Sequence, residues 1–157
     1  MLFRSAANRL IDQVLIRREI RVGEYQTPPQ SEADKLFNQI KKDRFANQAA
    51  LQKGLNSYGL TENQLKQYLL WQITVLRFVD QRFRPAVLVT DEDIEKYYHE
   101  HISQFQKPGS SQPESLEEAR GEIQQSISGD RMNQLFYTWL EQRRKGTTIQ
   151  YREEGLK

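Results

Sequence analysis

Apolar residues return at three- and four-residue intervals along almost the whole chain, and this spacing restricts it to a helical fold. Leu10, Ile11, Val14 and Leu15 share a face of a first helix over 3–21, which Gly23 and Thr27-Pro28-Pro29 break. Ser31, with Asp34 in the third helical position, predicts the cap of a second helix with Ala33, Leu36, Phe37 and Ile40 inward. Asn47 opens a short third helix carrying Leu51 and Leu55. It ends at Tyr58-Gly59, where glycine suits a left-handed residue. Thr61 and Gln64 form a capping box at the start of the longest uninterrupted helix, 61–83, which stops before Pro85. Val87-Leu88-Val89 reads as an extended connector. Thr90 then caps a helix with Asp91, Glu92 and Asp93 in its first turn and Ile94, Tyr97, Tyr98 and Ile102 on its apolar side.

Pro108, Gly109, Ser110, Ser111 and Pro113 make a loop before a further capping box, Ser115 and Glu118. The last helical region, 116–145, changes phase. Leu116, Ala119, Ile123 and Ile127 share one face, whereas Met132, Leu135, Trp139 and Leu140 centre on another. Gly129 lies between the two sets, which predicts a kink or break there. Residues 147–152 read as a short strand.

A chain of 157 residues can bury a hydrophobic core without covalent staples. It has no cysteine, which excludes disulfides, thiolate metal sites and a cysteine nucleophile together. The 23 basic and 21 acidic residues are interleaved and leave a formal charge of +2, a solvated surface rather than a nucleic-acid site. Lys41-Lys42 and Arg143-Arg144-Lys145 sit near helix ends, where cations interact well with the dipole. No apolar run approaches the roughly 20 residues that cross a bilayer, so membrane insertion is not expected. The first residues do not form a signal peptide; for an exported protein, the signal would lie outside this sequence.

The helix 61–83 carries more apolar surface than one core contact needs. Leu65, Leu69, Leu76, Val79 and Phe83 form a stripe flanked by Tyr68 and Val75. Trp71 and Phe78, seven residues apart, stack on a face well over about 90° away. Such a helix is buried on two sides or offers one side to a partner. Tyr68, Trp71, Val75 and Phe78 are therefore the candidate residues of a peptide-binding groove. The competing reading covers Trp71 and Phe78 with another helix of the same chain.

Catalytic and metal chemistry find little support. His99 and His101 are two apart on a helix and point in nearly opposite directions. The i, i+4 pair Glu95 and His99 has the form of a surface contact. No nucleophile elbow, phosphate-binding loop or dinucleotide fingerprint occurs. No catalytic residue, metal or cofactor is expected.

Several stretches, in order, resemble one family. The first is Arg9-Leu10-Ile11-Asp12-Gln13-Val14-Leu15, and the second is Tyr58-Gly59-Leu60-Thr61-Glu62-Asn63-Gln64-Leu65. Val89-Thr90-Asp91-Glu92-Asp93-Ile94-Glu95-Lys96-Tyr97-Tyr98, followed by Phe105, resembles the segment that precedes the parvulin domain in SurA, PrsA and related foldases. Ser115-Leu116-Glu117-Glu118-Ala119-Arg120, Trp139-Leu140 and Ile149-Gln150-Tyr151 are similar to the helix and strand that follow it. The chain thus looks like a SurA-like periplasmic chaperone whose prolyl-isomerase domain is absent. Between Phe105 and Ser115 there is only a loop, with no room for a folded sheet, paired histidines and a proline pocket. The family's opening strand and helix also find no counterpart.

The resemblance implies an all-α, SurA-like core in which the last long helix packs back on the first helices, with a short C-terminal strand. One domain, 1–157, would comprise N-terminal helices (1–105), the loop (106–115) and a C-terminal helix and strand (116–157). The implied function is non-catalytic binding of unfolded polypeptides, including outer-membrane protein precursors, in the periplasm. A structural domain whose aromatics pack against a second copy, as a homodimer, is the alternative.

Overall fold

The computed structural model describes residues 2–106 and 112–148, with side chains from residue 7 onward. The fold is all-α: α1 (Leu2–Val22), α2 (Gln30–Arg44), α3 (Gln48–Ser57), α4 (Glu62–Phe83), α5 (Asp91–Glu100) and α6 (Leu116–Lys145), with 3₁₀ turns at Arg84–Ala86 and Ile102–Phe105. The expected C-terminal strand lies mostly outside the described residues; Thr147 and Thr148 form no strand. The chain divides into two compact units, Ile16–Gln81 on one hand and Met1–Leu15 with Arg82–Lys157 on the other.

Helix starts follow local chemistry. Asn47 accepts from the Ala50 N–H, and Thr61 and Gln64 satisfy each other's backbone N–H groups. Reciprocal boxes also form at Thr90–Asp93 and Ser115–Glu118. Gly59 takes a positive φ of 64° after α3, as a left-handed helix terminus requires. The second helix departs from expectation. It begins at Gln30 behind Pro29, whose ring already fixes the extended entry, and Ser31 falls inside the first turn without capping.

In the unit Ile16–Gln81, Ala33 and Phe37 of α2, Leu51 and Leu55 of α3, and Leu69 of α4 form one core. Arg77 of α4 clamps Glu32 of α2 through both carboxylate oxygens (2.8 and 2.9 Å). Lys66 reaches Asp34 at 3.0 Å while lying over the Phe37 ring. Of the predicted stripe on α4, Leu69 and Phe83 are buried and Leu76 is not, and the opposite face also buries Phe78. Leu76 is 69% exposed and Tyr68 57%, whereas Phe78 is 1% exposed. On α1 the predicted face is likewise split: Leu10 and Val14 are exposed, whereas Leu15 is buried together with Ile16 and Ile20. Both helices carry apolar residues on two faces, so hydropathy alone did not select the inner one.

In the other unit, Ile94, Tyr98, Phe105, Ala119, Ile123 and Ile127 form the core between α5 and α6. The Tyr98 hydroxyl donates to the Glu114 carbonyl (2.7 Å), and the Glu114 N–H donates to that of Phe105 (2.8 Å). Gln106 and Pro113 pair as an isolated antiparallel bridge. The base of the 106–115 loop is thus closed before α6 begins. Arg131 of α6 holds Asp93 of α5 bidentately (2.6 and 2.9 Å) and also donates to the Leu88 carbonyl. The last helix does pack back on the first: Arg144 donates to both carboxylate oxygens of Asp12.

Of the expected kink or break at Gly129, no break occurs, because α6 runs continuously from Leu116 to Lys145. The phase change itself is real. Ala119, Ile123 and Ile127 are buried on one face, and Trp139 and Leu140 on another, where Phe83 meets the Trp139 ring edge-on at 6.2 Å. One unbroken helix serves both contacts, since each half faces a different neighbour.

Two predictions follow from this packing. A Cβ at Gly129 would meet nothing within 4 Å. Gly129→Ala therefore raises unfolding free energy by about 0.5–1 kcal/mol, measured by urea denaturation. Asp93 is held well below the usual carboxylate range by its hydrogen bonds, first to Arg131 and then to Thr90. A carboxyl depressed on folding stabilises above its unfolded value of about 3.9 and loses that stability as pH falls toward the lower folded value. Asp93→Asn accordingly lowers the Tm at pH 7, and its deficit relative to the unmodified protein shrinks as pH drops below about 4.

Candidate functional site

The turn that ends α1 shapes the site. The Gly23 N–H donates to the Glu19 carbonyl (2.8 Å) and the Tyr25 N–H to that of Ile20 (3.1 Å), the six-to-one bond of a Schellman ending. Glu24 occupies the left-handed position, with φ 52°, where glycine or asparagine is usual. Gly23 is needed for another reason: a Cβ there would stand 2.4 Å from Cε2 of Tyr25. The glycine lets the Tyr25 ring lie flat against the helix end. From that position the ring meets Phe78 edge-on, at 5.0 Å and 90°. Pro28, further along the connector, is buried.

Above this seat opens a cavity of about 600 Å³ within the unit Ile16–Gln81. Arg17, Ile20 and Arg21 line it from α1, Glu24, Tyr25, Thr27 and Pro28 from the connector, and Gln67, Leu70, Trp71 and Thr74 from α4. Its size and mixed lining suit one or two large side chains of a bound chain. Trp71 is half-buried, and the Arg17 guanidinium lies over its ring with its carbon 4.3 Å from the centroid. Thr74 turns its hydroxyl back to the Leu70 carbonyl (2.7 Å), so its methyl group and the aromatic rings form the drier part of the wall.

The four residues selected from the sequence have different fates. Trp71 lines the cavity. Phe78 lies in the core under Tyr25 rather than on the surface. Tyr68 is exposed and, like half-buried Val75, lies outside the cavity lining. The helix thus separates these residues into a pocket wall, a buried support and an open face. Sequence reading missed Tyr25, Pro28, Arg17 and Arg21. The break signal at Gly23 and Pro28-Pro29 marked their segment, but nothing in a turn's composition says that its aromatic folds back onto a helix.

The histidines do not build a site. His101 stacks on Tyr97, with ring centroids 4.2 Å apart, and its Nδ1 lies 2.9 Å from the Tyr97 carbonyl; His99 is exposed. Among the described residues no group of three histidine, cysteine or carboxylate side chains could hold a metal ion. No helix among them is long and apolar enough to cross a membrane.

The chain is similar to foldase protein PrsA of Clostridium botulinum. It is 32% identical over 104 residues to the protein of strain Loch Maree and 32% identical over 106 residues to that of strain Hall. The matches cover 64% and 66% of this chain and 31% of each relative, so the chain spans about a third of the length of the curated relatives it matches. No family model and no solved structure matches it.

The turn chemistry yields a prediction. Glu24→Gly removes the left-handed strain of a side chain and stabilises the protein by about 1 kcal/mol. Gly23→Ala forces Tyr25 out of its seat and lowers the melting temperature. Paired thermal melts of the two variants check both signs.

Proposed function

We propose that residues 1–157 work as one non-catalytic chaperone domain that holds unfolded polypeptide segments in the Trp71 cavity. The observation that carries this reading is the cavity itself. It offers aromatic and aliphatic surface, with donors at its rim and no convergent acid–base pair among its lining residues. Similarity to proteins named foldases supports a chaperone-type role. Reversible burial of client side chains needs no cofactor, nucleic acid or bilayer. The finer reading carried by the SurA resemblance, outer-membrane protein precursors as clients and the periplasm as compartment, belongs to the same proposal.

A second reading has its own support. Tyr68 and Leu76 are exposed on α4 beside half-buried Val75 and Val79, an apolar strip that could pack against a second copy. Molecular mass rising with concentration, together with loss of that rise in Leu76→Ser, favours the dimer; a constant monomer mass removes it.

The cavity and the core separate cleanly by mutation. Trp71→Ser keeps the helical circular dichroism and most of the melting temperature but loses suppression of client aggregation. Phe78→Ala, in contrast, costs about 3–5 kcal/mol, as truncation of a buried aromatic does. Proline-peptide isomerisation stays at background for the unmodified protein. Full aggregation suppression by a folded Trp71→Ser variant contradicts the assignment of the cavity.

A further inference from the structure

Two cations stand at the cavity with no ionic partner among the described residues. Arg17 and Arg21 lie one turn apart on the exposed side of α1 and both line the cavity. Among the described residues, neither is paired with a carboxylate, in contrast to Arg77, Arg120, Arg131 and Arg144, which all are. Among the described residues, Glu24 is the one acidic residue of the lining, against the two arginines Arg17 and Arg21. The Arg17 guanidinium carbon lies 4.3 Å from the centre of the Trp71 ring. A guanidinium drawn to a ring in this way still carries a fork of N–H donors that matches a carboxylate. Apolar surface and an unused carboxylate receptor therefore lie side by side.

We propose that the cavity selects client segments in which a large apolar side chain is flanked by aspartate or glutamate. This rests on the chaperone reading of the same cavity and adds a sequence preference to it. The apolar side chain enters against Trp71, Tyr25 and Pro28, while the neighbouring carboxylate accepts hydrogen bonds from Arg17 and Arg21. A lysine in the same flank would bring a third cation to the rim and be disfavoured. Because the rim is open to solvent, the preference is screened by salt, whereas apolar burial is not.

Fluorescence polarisation on the full chain tests this with three labelled peptides. They share one leucine- and phenylalanine-containing core and differ only in Glu, Gln or Lys flanks. The Glu-flanked peptide is expected to bind about fivefold or more tighter than the Lys-flanked one, the scale of one to two partly exposed ion pairs. The gap should narrow at high salt and close in the double variant R17Q/R21Q. Both arginines are exposed, and unchanged circular dichroism confirms that the variant is folded. Trp71→Ser should weaken all three peptides alike. Equal binding of the three peptides, or a gap that survives R17Q/R21Q, overturns the preference and leaves the client-binding reading standing. No binding of any peptide overturns both.

Discussion

A helix that carries apolar residues on two faces must bury both or leave one open, and three helices of this chain face that constraint. The first half of α6 buries Ala119, Ile123 and Ile127 in the α5 core, and its second half turns Trp139 and Leu140 to a different set of neighbours. The helix needs no break, because a phase shift along one continuous helix is enough. On α4 the choice goes the other way. Phe78 and Thr74 are buried, Trp71 is left as a wall, and Leu76 and Tyr68 face outward. The cavity exists because α1 and its terminal turn cover that inner face only in part.

The positioning of the cavity is mostly backbone chemistry. Gly23 allows a ring to lie where a side chain would stand, and Glu24 accepts a backbone conformation that its Cβ disfavours. Tyr25 then links the cavity to the core through Phe78. A strained residue held at the edge of a cavity is a common mark of a functional segment, since the surrounding structure must over-determine it. Between α5 and α6, the Asp93–Arg131 pair and the bridge of Gln106 to Pro113 tie the two helices together.

Features that depend on a few neighbouring residues were legible in the sequence. The capping boxes at Thr61, Thr90 and Ser115, the Asn47 cap and the left-handed Gly59 all lie where local hydrogen bonding and φ preference put them. Features decided by distant contacts were not. Spacing identified two apolar faces on α4, yet only packing against α2, α3 and Tyr25 decides that Phe78 goes in and Leu76 stays out. Trp71 was legible as a residue off the expected stripe, and it does line the cavity. Arg17 and Arg21 were not, because a cation on a helix surface looks the same whether its neighbour is water or an indole ring.

The central claim is that client chains enter on the Trp71 side of α4. Thr27 is exposed at the cavity, whereas Leu76, about 200° around the helix from Thr74, is exposed on the far side. A photo-crosslinking side chain placed singly at each position, with an unfolded polypeptide added, reads the entry side directly. Strong crosslinking is expected from position 27 and background from position 76. Crosslinking from position 76 with none from position 27 would contradict it.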